Sequence, residues 1–267
     1  MSEGKKPKPA AELLAPAYAV PGGDLSRHAP AVIVPITGTT AAMLVEEAIA
    51  AEAGGADLIE WRIDFMLAAH QQLSFAPLGA EVVVPILNAT NVPLLLTIRT
   101  TGEGGEAGLS EGRYRLLLAE LLDVLVHLEV PAERIVLDLE YWFDGAPAIA
   151  VQAQALGATV IISHHDWEGT PDSERMRQMF AQMLKLPGVV AKLAVTAHSD
   201  ADVQRLLDAC QAQARQSGRA LIGIAMGEAG QRSRLEGWKY GSVATFATVG
   251  AASAPGQPTV AQLRAAL

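Results

Sequence analysis

From residue 31 onward, short apolar runs alternate with longer stretches of helical periodicity. The runs at 31–36 (AVIVPI), 57–62 (DLIEWR), 93–98 (PLLLTI), 134–139 (RIVLDL), 159–163 (TVIIS), 189–195 (VVAKLAV), 220–225 (ALIGIA) and 242–246 (SVATF) predict eight strands. Most are apolar on both faces, as strands buried between two layers must be. Between them the spacing changes from two to three and four. A helix begins near Thr40 and stops at Gly54-Gly55. A second covers 81–91. Tyr114, Leu117, Leu118, Leu121, Leu122 and Leu125 mark the apolar stripe of a third. Others are predicted at 146–156 and 172–184, after the Ser199 and Asp202 capping pair, and from Thr259. Eight strand-then-helix units without a linker fit a closed (β/α)8 TIM barrel better than an open sheet. The barrel is assigned to 31–267. Residues 1–30 form an extension whose first dozen residues read as a disordered tail, and Pro21-Gly22-Gly23-Asp24 predicts a small hairpin over the barrel floor.

Composition supports that picture. The 267 residues match the ~250 usual for such a barrel. The single cysteine, Cys210, excludes internal disulfides and a cysteine-built zinc site, and points to a reducing, cytoplasmic setting. No apolar run is long enough to span a membrane, and the proline-broken N-terminus argues against a signal peptide. The net charge of −9 argues against nucleic acid. It still allows a small anionic substrate, because a few arginines in one cleft reverse the local field.

The chemistry lies in the polar residues that interrupt or end the strands, since barrel active sites form at the C-terminal strand ends. The second strand ends in Glu60, Arg62 and Asp64. Arg99 ends the third, with Glu103 just beyond. Asp138 and Glu140 end the fourth, and His164, His165 and Asp166 the fifth. Lys192 lies inside the sixth. Arg232 and Arg234 follow the seventh, and Ser253 and Gln257 the eighth. Any one of these has a plain structural explanation: Glu60 and Arg62 as an ion pair, a histidine as a cap. An ionic group at nearly every strand end does not, because buried charge is expensive. Lys192 stands out, flanked by three apolar residues on each side. Burial lowers an ammonium pKa from ~10.4, and a neutral amine attacks carbonyls. Residues alone leave open several Schiff-base barrels, an aldolase or transaldolase among them, and a barrel that only binds a metabolite. GEGGEA at 102–107 approaches a dinucleotide fingerprint but belongs to the third unit; it reads as a mobile loop carrying Glu103. No phosphate-loop or zinc-protease motif occurs, and the histidines lack zinc spacing, so neither cofactor nor metal is expected.

The segments EWRID (60–64), TIRTTGEGGE (97–106), SHHDWEGTP (163–171), AKLAVTAHS (191–199), MGEAGQRSR (226–234), GSVATFA (241–247) and SAPGQ (253–257) together resemble type I 3-dehydroquinate dehydratases. The resemblance runs over about residues 31–267. It implies dehydration of 3-dehydroquinate to 3-dehydroshikimate in the shikimate pathway, by syn elimination through a lysine imine. It also implies roles. Lys192 forms the imine, His165 is the general acid and base, and Glu103 orients it. His164 occupies a position variable in the family. Arg234 binds the substrate carboxylate, while Glu60, Arg62 and Arg99 hold its hydroxyls. Ser253 and Gln257 lie on a closing loop and bind substrate. A homodimer is implied as well. SAPGQ and EWRID argue against an aldolase. Two features depart from the family: Pro35 stands where some members carry serine, and the extension before Ala31 has no clear counterpart.

Overall fold

A computed structural model describes residues 8–18, 21–25, 29–70, 75–127, 130–250 and 256–267. Eight parallel strands lie in the order β7-β6-β5-β4-β3-β2-β1-β8. They are β1 (Ala31–Ile36), β2 (Leu58–Arg62), β3 (Leu94–Thr97), β4 (Ile135–Glu140), β5 (Thr159–Asp166), β6 (Val190–Thr196), β7 (Leu221–Met226) and β8 (Ala244–Phe246). β1 pairs with both β2 and β8. The ring closes just before β8, where Leu221 and Ser242 form a parallel bridge and Val243 N–H donates to Leu221 at 2.8 Å.

The helices are α1 (Ala10–Leu13), α2 (Ala41–Ala53), α3 (Ile63–Ala69), α4 (Phe75–Leu78), α5 (Val84–Ala89), α6 (Glu111–His127), α7 (Ala146–Ala155), α8 (Ser173–Met183), α9 (Asp200–Ser217), α10 (Gln231–Glu236) and α11 (Val260–Ala266). Among the described residues none is long and apolar enough to cross a membrane. The stripe predicted on α6 is buried, from Tyr114 to Leu125. Truncating one of its leucines to alanine costs ~2–5 kcal/mol by the usual cavity penalty. Thr40, Ser199 and Thr259 cap α2, α9 and α11, each accepting a backbone N–H three residues on. On α9, Cys210 is buried against Gly223 of β7, and burial pushes its thiol up to about 12.

Three expectations change. The predicted helix at 81–91 is a composite: α4 runs through a π turn at Gly79–Val83 into α5. β5 is three residues longer than its apolar run, because pairing with β6 continues from Ser163↔Lys192 to Asp166↔Val195. Polar side chains ended the run, but the backbone ladder did not need apolar ones. At the N-terminus, residues 1–7 fall outside the described set, and the disordered-tail reading fails at Ala10. There α1 forms, with Ala10 and Leu14 buried. Ala11, Leu14 and Pro16 border a cavity with Ala158, Val189, Val190 and Ala220, at the N-terminal ends of β5, β6 and β7. The floor is therefore met by this segment. The predicted turn contributes one antiparallel bridge, Tyr18↔Leu25.

Candidate active site

Strand alternation aims the polar residues inward. On β6, Ala191, Leu193 and Val195 pack outward, while Lys192 and Ala194 face a cavity at the C-terminal end of the barrel. Ser163 lies beside Lys192 in register, and Asp138 and Glu140 share one face of β4. The cavity is lined by Glu60, Arg62, Arg99, Glu103, His165, Lys192, Arg234 and Gln257. Ser253 lies outside the described residues.

Lys192 is 5% exposed. Its Nζ stands 4.6 Å from the Phe246 ring centroid and 4.0 Å from Asp138 Oδ2. Burial is the main force on its pKa and lowers it; Asp138 opposes that, and Arg99 adds to it. The result favours the neutral, nucleophilic amine. Beneath it, Arg99 donates to Asp138 at 2.7 Å, to Ser163 at 3.0 Å and to Glu140 at 3.2 Å. Burial disfavours the guanidinium charge, but Asp138, Glu140 and Glu103 outweigh it and raise the Arg99 pKa. Burial likewise opposes ionisation of Asp138, and Arg99 with Lys192 hold it below the usual carboxylate range. Arg99 thus lines the cavity with much of its donor set already committed to the protein. Asp138, Glu140 and Ser163, given no role from sequence, form this floor. The spacing of Asp138 and Glu140 by two on one strand was the signal available.

Glu103 sits on a 3-10 turn, Thr101–Glu103. Its Oε2 accepts from the His165 backbone N–H at 2.6 Å and from His165 Nδ1 at 2.9 Å, and its Oε1 from His164 Nδ1 at 2.8 Å. A carboxylate only accepts, so both imidazoles carry hydrogen on Nδ1. This leaves Nε2 of a neutral His165 as an open base. Burial opposes the Glu103 charge, yet the two histidines hold its pKa at about 2. His165 is held low, at about 3, by burial first and then by Arg99 and Lys192; Glu103 offsets only part of this. His165 is therefore neutral at rest.

The loop bearing Glu103 is fastened rather than mobile. Gly104 adopts φ +82°, and a Cβ there would strike the Trp167 ring, which covers the loop. Gly105 lies against the Arg99 carbonyl with no room for a side chain. Asp64 ties the loop down: it accepts from Glu106 N–H at 3.0 Å and Arg99 N–H at 3.4 Å. Asp64 is also the partner of Arg62, through two bonds of 2.7 Å. Glu60, for which an ion pair with Arg62 was the plain structural alternative, instead accepts from Thr97 Oγ1 at 2.9 Å. Arg234 of α10 is buried on the far side of the cavity, and burial lowers its guanidinium pKa to about 10. Arg232 points elsewhere, toward Gln204, Asp200 and Glu236.

Comparison with known proteins adds an independent finding. The family model described as type I 3-dehydroquinase matches residues 32–267. A 3-dehydroquinate dehydratase from Salmonella paratyphi B is 35% identical over 243 residues, covering 90% of this chain and 92% of its own. The crystal structure of the 3-dehydroquinate dehydratase from Geobacillus kaustophilus superposes with a TM-score of 0.77 at 28% identity, covering 95% and 94% of the two chains. The type I enzyme from Clostridium difficile, solved with covalently modified comenic acid, gives 0.79 at 27% identity, covering 92% and 94%.

Proposed function

The chain belongs to the type I 3-dehydroquinase family, and on that premise we propose that Lys192 is its imine-forming nucleophile and His165 its proton carrier. The protein is a 3-dehydroquinate dehydratase, a hydro-lyase that converts 3-dehydroquinate to 3-dehydroshikimate through a lysine imine. The neutral Lys192 Nζ attacks the ketone carbon; the adduct takes up one proton from solvent and loses water, leaving a protonated imine. This cation is an electron sink that acidifies the neighbouring C–H. His165 Nε2 removes that proton to give an enamine. The enamine expels the hydroxyl one carbon further along, and His165 returns the proton, so water departs from the same face. A second water hydrolyses the protonated imine, frees neutral Lys192 and returns that proton to solvent. The reaction loses one water overall.

Glu103 keeps His165 in the tautomer this sequence needs and stabilises the imidazolium formed midway. Arg234 takes the substrate carboxylate through its guanidinium fork. Glu60 and Arg62 hold ring hydroxyls, Arg62 being set in position by Asp64. Arg99 helps to hold the hydroxyls and also keeps Asp138 charged under Lys192. Gln257, which lines the cavity, and Ser253 complete the proposed set of substrate-binding residues. The observation that carries the reading is the buried Lys192 amine facing the same cavity as the open nitrogen of His165. Borohydride added with 3-dehydroquinate is expected to leave a reduced adduct on Lys192, located by peptide mass spectrometry. No adduct, or one on another residue, refutes the assignment. We further propose a cytoplasmic homodimer in which an extension, 1–30, precedes a single catalytic barrel, 31–267. Sedimentation equilibrium tests the dimer.

A further inference from the structure

His165 is followed by one aspartate and preceded by a second histidine, and the dehydration above has no task for that second ring. Its place is specific. His165 faces the cavity; His164, one residue earlier on β5, leaves the strand on the opposite face. Even so, its Nδ1 reaches back to Glu103 Oε1 at 2.8 Å. The Glu103 carboxylate is thus clamped between two imidazoles, one on each oxygen. The two rings differ in access to water: the His164 side chain is 27% exposed, the His165 side chain 11%.

From this shared carboxylate we propose that His164 is a positioning residue for the dehydration. It fixes the rotation of Glu103 and, by its own protonation, sets how much carboxylate charge supports His165. The proposal rests on the assignment of His165 as proton carrier. The groups facing His164 are few. Glu103 lies on the 3-10 turn, Asp166 on β5 itself, Arg175 on α8, and the Tyr141 ring, beyond β4, stands 6.5 Å away edge-on. Its hydrogen bond to Glu103 comes first among the influences and raises its pKa above the usual histidine value; burial and Arg175 pull the other way. The groups facing His165 are Glu103, Arg99 and Lys192.

The direction of the effect follows. With His164 protonated, Glu103 is paired to a full positive charge, and less of its field reaches His165. The imidazolium that His165 must become is then less supported, and proton abstraction slows. With His164 neutral, Glu103 acts on His165 alone. Turnover therefore rises with pH through the ionisation of His164.

The test compares kcat and KM from pH 5 to 9 for the intact chain, His164→Asn and His164→Phe, with borohydride trapping of Lys192 in each. Asparagine can donate to Glu103 Oε1 but does not titrate; phenylalanine does neither. His164→Phe is expected to lower kcat roughly tenfold with KM nearly unchanged, the size of one lost hydrogen bond to a charged group. Asparagine should restore kcat to within about threefold of the parent at pH 8, since it keeps the hydrogen bond. It should also abolish the ionisation above the usual histidine pKa that shapes the parent profile. An Asn profile superimposable on the parent overturns the proposal, whether or not the Phe variant folds. An adduct on Lys192 in all three proteins, with no change in kcat, overturns it while leaving the dehydratase assignment intact. Failure of the parent to form the adduct removes the assignment and the proposal together.

Discussion

Replacing Glu103 with glutamine takes away one charge and keeps the shape. Glu103 accepts three hydrogen bonds, two from His165 and one from His164. Glutamine offers one acceptor oxygen and puts an amide N–H2 where the other oxygen stood. That group meets an imidazole N–H, donor against donor, so one histidine must change tautomer or swing away. If His165 changes, its base nitrogen is already protonated and abstraction stops. The comparable carboxylate-to-amide change beside the catalytic histidine of a serine protease costs on the order of 10⁴ in kcat. We expect a fall on the order of a thousandfold here, because turning the glutamine oxygen onto His165 keeps its tautomer and moves the donor clash to His164, while the negative charge that supports the imidazolium is lost in either orientation. KM should move little. Stability falls too. A carboxyl held at about 2 against an ordinary 4.5 represents on the order of 3 kcal/mol, at about 1.4 kcal/mol per pH unit. The depressed pKa gives the sign: this contribution is complete above the unfolded value of 4.5 and disappears as pH falls through about 2. The gap in urea unfolding free energy between wild type and Glu103→Gln should therefore be full at pH 6 and close between those two values. Turnover is read from the ultraviolet absorbance of the conjugated product. A kcat within about tenfold of wild type would falsify the orienting role; a stability gap independent of pH would refute the charge argument.

Three further outcomes are expected. Arg234→Lys should raise KM strongly with kcat less affected, since lysine keeps the charge but loses the fork; an unchanged KM removes Arg234 from the carboxylate. His165→Ala should still give a borohydride adduct on Lys192, formed slowly, with turnover nearly abolished, and normal turnover would place the proton transfer elsewhere. Asp64→Asn should destabilise the fold by ~3 kcal/mol, because it leaves the Arg62 guanidinium without its bidentate carboxylate, and should raise KM as Arg62 loses its position; an unaltered Tm and KM would show that Arg62 is held otherwise.

Much of this architecture was legible as alternation. Each strand was found within three residues from its apolar run, and Glu60, Arg62, Arg99, Lys192 and Arg234, singled out because they interrupt, end or follow those runs, line one cavity. What escaped notice involved contacts that no local period encodes. The Arg62–Asp64 pair crosses from the end of β2 into the first turn of α3, where the change from strand to helix brings residues two apart within bonding distance. The double hold of Glu103 on His164 and His165 depends on a loop 61 residues earlier in the chain. The length of β5 was hidden because its last three residues are polar, although backbone pairing is indifferent to that. The π turn before α5 has no sequence marker that we recognise.

Cys210 carries a consequence of a different kind. The chain holds a single thiol, sealed between α9 and β7 and pushed up to about 12. At neutral pH almost none of it is thiolate, the form that oxidants and alkylating agents attack. The reactive nucleophile is an amine instead. This catalyst therefore offers no reactive thiol through which disulfide exchange could turn it off.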